Sequence, residues 1–290
     1  MSDERPAPRG PLLENRLPAE GINSSTEHPL KEFGWLMAAS VITLMVLVAV
    51  ASWGAKWLAP MLPFSAEVSL AARIVDRPTP PEHVARTAEL QRVADQVAAR
   101  MGLPDGMALV VTYGDSPQVN AYATVGGRIQ VFKGLLHELH SEEALAALLA
   151  HEIAHVKHRH VAAGLGRGLA VALLLSAVSA DAGATAAQAA LGNAATFALL
   201  GYSRDQEAQA DEEALQAVVA LHGHAGGLVE LFTRLGQVGP GVGPKLEALN
   251  SHPLTDARLA AVQARAHERG WAVSGAMTPL SGLLRKPSPS

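Results

Sequence analysis

The chain has 290 residues, a net charge of −4, no cysteine and an apolar fraction of 49% with few aromatics. That length gives one large domain or two small ones, and an alanine-rich, aromatic-poor composition favours close-packed helices over a sheet sandwich. Lack of cysteine excludes disulfides and thiolate metal ligands, and an acidic balance with no long basic run gives nucleic-acid binding no electrostatic support.

Residues 1–34 are polar and rich in Pro, Glu and Ser, and read as a disordered tail. Trp35 to Ala55 carries no charge, which predicts a bilayer-spanning helix over 35–58, with Trp35, Trp53 and Trp57 at its interfaces. A buried core helix and a cleaved signal peptide are the alternatives. The length without a polar face argues against the first, and the long polar tail ahead of the run against the second. Arg5, Arg9, Arg16 and Lys31 precede the span while Lys56 and Arg73 follow it, which favours an inside N-terminus and a domain beyond the membrane.

Residues 59–81, with Pro60, Pro63, Pro78, Pro80 and Pro81, read as a linker. A domain over 82–272 follows. It opens with a helix from Glu82 to Met101, striped by Val84, Leu90, Val93, Val97 and Ala98. Ala108 to Tyr113 reads as a strand. Val119 to Val125, a Gly126-Gly127 turn and Arg128 to Phe132 read as a hairpin whose open edge could pair with an extended peptide. Ser141 to His160 predicts one helix, capped by Ser141, acidic at its start and basic at its end. Leu169 to Ala180 is apolar but too short to span, and reads as a buried or interfacial helix. Gly164 to Gly168 follows a helix rather than a strand, so it is not a phosphate loop. Ala182 to Leu200 predicts an alanine-rich helix. Ser203 to Gln206 is a capping box opening another helix, and Gly227 to Val238 a further one. A loop over 239–244 leads to Ser251-His252-Pro253 and a last helix capped by Thr255 and bearing Arg258. Residues 273–290 read as a loose tail.

The chemistry lies in His151-Glu152-Ile153-Ala154-His155. On a helix, His151 and His155 share a face and offer two imidazoles to one metal, with Glu152 one step round, within reach of a metal-bound water. A catalytic zinc takes three protein ligands, and here the third must be His, Asp or Glu. Glu207 on the capped helix is the preferred third ligand, and Asp211, one turn on, can accept the second N–H of a ligand histidine. The pair also fits an ordinary acidic face beside Glu212 and Glu213, and His222-Gly-His224 is the rival source of a ligand.

His-Glu-Ile-Ala-His, followed by Ser203-Arg204-x-x-Glu207-x-x-Ala210-Asp211 and by Ser251-His252-Pro253 with Arg258, resembles the HtpX, CAAX-prenyl-protease and Oma-type family of zinc metallopeptidases. The resemblance extends to Asn120 to Ala123, Gly126-Gly127 and Val131 to Leu135, and covers roughly residues 82–269. It implies a mainly helical α+β fold of gluzincin type with a small sheet. It also implies one Zn2+ per subunit on His151, His155 and Glu207, and Glu152 as catalytic base. His252 becomes a candidate donor to the oxyanion, and Arg258 a residue that positions it or binds substrate. The expected activity is a membrane-anchored zinc endopeptidase acting on protein or peptide substrates in membrane or envelope quality control. It would sit in a bacterial inner membrane by one helix, with the catalytic domain in the periplasm, and a homo-oligomer is compatible with it. A non-catalytic zinc-binding chaperone or adaptor of the same fold is the alternative, which intact Glu152 disfavours.

Overall fold

In the computed structural model, residues 29–58, 61–74, 78–178, 181, 184–185, 201–237, 252 and 256–285 are described. The expectations for the tail before residue 29, for most of 182–200, for the 239–244 loop and for Ser251, Pro253 and Thr255 lie outside them.

Helix α1 (Pro29–Leu58) starts earlier than the uncharged run implied, with Pro29 in its first turn, where a missing N–H costs nothing. Its stretch Leu30–Val50 is long and apolar enough to cross a membrane. Residues 59–81 are not all linker: Phe64–Ile74 forms α2, an amphipathic helix that packs on the Gly126-Gly127 turn. Its buried Glu67 explains the docking. The carboxylate accepts from Gly126 N at 3.1 Å and from Arg159 Nε at 2.6 Å.

Helix α3 (Val84–Met101) buries Leu90, Val93, Ala94, Val97 and Met101, whereas Val84, expected on that stripe, is exposed. Three strands follow: β1 (Val110–Gly114), β2 (Ala121–Thr124) and β3 (Arg128–Phe132), in the order β1-β3-β2. The expected hairpin is present as the antiparallel β2–β3 pair, with Ala121 opposite Val131 and Ala123 opposite Ile129. β1 joins β3 in parallel, leaving β2 as an edge.

After the short α4 (Lys133–Glu138), helix α5 (Glu142–Lys157) runs through the middle of the domain. Ser141 Oγ caps it by accepting from Ala144 N at 3.1 Å. Every residue from Glu143 to Val156 is buried, the polar Glu143, His151, Glu152 and His155 included. α3, β2, α6 (His160–Val178), α7 (Arg204–His222) and α8 (Gly226–Gln237) all pack on it. Gly227 allows α8 to lie against α5, since a Cβ there would run into the Glu143 carbonyl. The last helix is α9 (Asp256–Glu268).

Two expectations change here. The predicted helix 141–160 breaks after Lys157, because Arg159 takes a left-handed φ of 58° and α6 starts anew at His160. That conformation costs about 1–2 kcal/mol, and the bonds from Arg159 to Glu67 and to Leu62 O (3.0 Å) offset it.

The tail from residue 273 is not loose as far as Arg285. Glu142 N donates to Thr278 O at 2.9 Å and Leu280 N to His140 O at 3.0 Å, while Thr278 N donates to the Glu143 carboxylate at 2.9 Å. Leu280 and Leu284 are buried in the core. The strap is held largely by main-chain bonds to distant segments, which leave no pattern in its own side chains. Truncation after Met277 is expected to remove about 5 kcal/mol of stability, from two buried leucines at about 1.5–3 kcal/mol each and the lost hydrogen bonds. Denaturant unfolding of the two proteins measures it, and equal midpoints would show the strap to be passive.

Candidate metal centre

One turn of α5 sets His151 and His155 side by side, their Nε2 atoms 3.1 Å apart. From α7, whose capping box Ser203/Gln206 is present, Glu207 reaches between them. Its Oε2 is 3.5 Å from His151 Nε2 and its Oε1 3.5 Å from His155 Nε2. His252 comes from a separate segment, with Nδ1 3.2 Å from His151 Nε2 and 2.9 Å from Glu207 Oε1. All four donors lie within 4.8 Å of one another.

These separations fit a zinc ion. Tetrahedral bonds of about 2.0–2.1 Å place neighbouring ligand atoms about 3.3–3.4 Å apart, and the spacings here bracket that value. The donor set, imidazole and carboxylate, is also one that zinc accepts. His252 Nδ1 is the fourth donor of the set.

The surroundings of the two α5 histidines differ. His151 Nδ1 lies 3.0 Å from Asp211 Oδ1. Arg258 in turn grips Asp211 with Nε at 2.7 Å and Nη2 at 2.6 Å, reaches Glu207 Oε2 with Nη1 at 2.7 Å, and lies over the Phe232 ring. Burial alone would depress His151, but Asp211 and Glu207 outweigh it and raise its pKa to about 9. Burial works against ionisation of Glu207 and Asp211, yet His151 with His252, and His151 with Arg258, hold the two carboxyls below their ordinary range. His155, with no carboxylate on its Nδ1, is pushed well down by burial and by the positive charge of its neighbours. Its ring is stacked on Tyr202 at 3.8 Å, a contact to which sequence reasoning assigned no role.

Glu152 is buried beside the set. Its Oε2 accepts from Ala123 N on β2 at 2.8 Å, leaving Oε1 3.7 Å from His252 Nε2. A small apolar pocket of about 30 Å3 adjoins it, walled by Leu135, Leu148, Leu231, Phe232 and Leu235. The rival histidines lie elsewhere. His224 bonds Ala276 O at 3.0 Å and Gly226 N at 3.1 Å, His222 faces Glu143, and neither joins the four donors.

A helix-borne His-Glu-x-x-His with a buried carboxylate from a second helix, in a mainly helical domain with a small sheet, is the arrangement of a metallopeptidase. Residues 84–266 match the model of peptidase family M48, and the chain belongs to that family. Similar proteins include a putative beta-barrel assembly-enhancing protease of Vibrio cholerae, 29% identical over 52% of this chain and 33% of its own length. The mitochondrial metalloendopeptidase OMA1 of Schizosaccharomyces pombe is 29% identical over 65% of this chain and 55% of its own. The metalloprotease YcaL of Escherichia coli is 29% identical over 51% of this chain and 58% of its own. The chain thus spans between a third and about three fifths of these relatives' lengths. The resemblance to the Oma-type family drawn from the motifs holds.

Proposed function

We propose that the protein is a membrane-anchored zinc endopeptidase that cleaves proteins, with a role in quality control of membrane or envelope proteins. The observation that carries this is the separation of labour at the site. His151, His155 and Glu207 converge on one point, while Glu152 stands outside them with one oxygen on Ala123 N and the other turned toward His252. A protein that only bound metal would have no use for that second carboxylate.

In this reading His151, His155 and Glu207 hold the zinc, and Asp211 orients His151 under the grip of Arg258. Bound zinc lowers the pKa of its water and polarises a carbonyl. Glu152 Oε1 takes the proton of the attacking water and returns it to the leaving amine, while Ala123 N holds the other oxygen still. His252 would have to shift away from His151 and Glu207 to admit that water, and from beside it would donate to the oxyanion. The free side of β2 pairs with an extended substrate. Helix α1 crosses a bacterial inner membrane, with the domain on the periplasmic side. The name of the Vibrio cholerae relative, a putative beta-barrel assembly-enhancing protease, supports an envelope substrate.

The test is proteolysis of an unfolded protein by the full chain in detergent. Activity is expected to vanish on chelation and return with one equivalent of zinc, and zinc-loaded protein without activity would overturn the reading. A reporter fused after Ser290 is expected to be active only outside the cytoplasm; one active only inside would reverse the orientation.

A further inference from the structure

His155 lacks the carboxylate that His151 has, but its Nδ1 is not idle. It lies 2.9 Å from Nδ1 of His160, the first residue of α6, which is 5% exposed. His160 Nε2 is 3.2 Å from Gln209 Oε1 on α7, and Gln209 Nε2 is 3.0 Å from His158 Nδ1. His158 Nε2 is 3.1 Å from Glu213 Oε1, and Glu213 Oε2 receives Lys157 Nζ at 2.7 Å. Six side chains, from α5, α6, α7 and the break between α5 and α6, therefore form one line from a buried imidazole to a half-buried ion pair.

The line has a direction. An ionised carboxylate only accepts, so His158 must carry its proton on Nε2 and accept on Nδ1. The Gln209 amide then turns its nitrogen to His158 and its oxygen to His160. His160 must be protonated on Nε2 and accept on Nδ1. The donor facing it is His155 Nδ1–H, which leaves His155 Nε2 as a bare lone pair. That is the nitrogen aimed at Glu207 and His151.

We propose that the relay Glu213–His158–Gln209–His160 fixes the tautomer and ring orientation of His155, so that one ligand histidine is set by a carboxylate directly and the other through three uncharged side chains that lead to one. His160 and Gln209 are positioning residues. The proposal rests on the reading of His155 as a metal ligand. Nothing in the motif His151 to His155 points to the relay, because the chain breaks at Arg159 and His160 lies on a different helix.

Zinc affinity of the full chain, measured by competition with a chromogenic chelator, and the visible spectrum of the cobalt-substituted protein test it. His160→Ala is expected to bind zinc about 10–100-fold more weakly and to shift the cobalt bands. His160→Gln, which again offers one acceptor and one donor, is expected to recover most of the affinity. Gln209 is exposed, so Gln209→Leu leaves the fold alone; it is expected to weaken zinc binding and shift the cobalt bands in the same direction. Should His160→Ala fail to fold, Gln209→Leu decides. Wild-type affinity and spectrum in Gln209→Leu would overturn the relay, as would His160→Gln behaving no better than a folded His160→Ala. Wild-type protein that takes up no zinc would overturn the metal site itself, a result distinct from loss of the relay alone.

Discussion

Glu152→Gln is expected to retain its fold and close to one zinc per chain, yet to lose proteolysis by at least about a hundredfold, the usual worth of a general base. The reason lies in the edge strand. Ala123 N donates to Glu152 Oε2 at 2.8 Å, and an amide in that place must turn its oxygen to Ala123. Its NH2 group then faces the site, where it has no lone pair to take a proton. Volume and the bond to β2 are kept, so neither packing nor metal ligation should move. Zinc content, circular dichroism and turnover of an unfolded substrate, measured on the same preparation, check the claim. Activity within a few-fold of wild type would remove Glu152 from the mechanism.

Glu207→Ala is expected to lower zinc affinity by more than a hundredfold. Three imidazoles could in principle hold zinc without it. Two features oppose that here. The substitution removes the one negative ligand, and it strips Arg258 Nη1 of the oxygen it meets at 2.7 Å. A guanidinium is then left close to a divalent cation in a buried site, where like charges repel by several kcal/mol. His252→Ala, by contrast, is expected to keep its zinc, because in the proposed mechanism His252 gives way to the attacking water. His224→Ala serves as a control, its ring being tied to Ala276 and Gly226. If His252→Ala and Glu207→Ala lose zinc alike, His252 is an obligatory ligand. If only His224→Ala loses it, the third ligand is misassigned.

The helical pair His151/His155 and the pair Glu207/Asp211 are legible in the sequence because both are local: each follows from a cap and a four-residue spacing. The β2–β3 hairpin is legible for the same reason, with two glycines at its turn in left-handed conformations. What the sequence hides is what passes between segments. The approach of His252 to Glu207, the stacking of Tyr202 on His155 and the docking of α2 through Glu67 all depend on tertiary position. The break at Arg159 is hidden too, since its left-handed turn is stabilised by a carboxylate 92 residues earlier.

The strap formed by residues 278–280 has a temporal consequence. Glu143, near the start of α5, is bonded by Thr278, 135 positions later. Contacts so far apart in sequence make for slow, late folding events, and segments made first ordinarily fold first. Here the helix with both histidines is translated long before the residues that hold its beginning. A nascent chain paused anywhere between them carries the whole His-Glu-x-x-His motif without its closure, so the site is completed only after translation has run far past its motif.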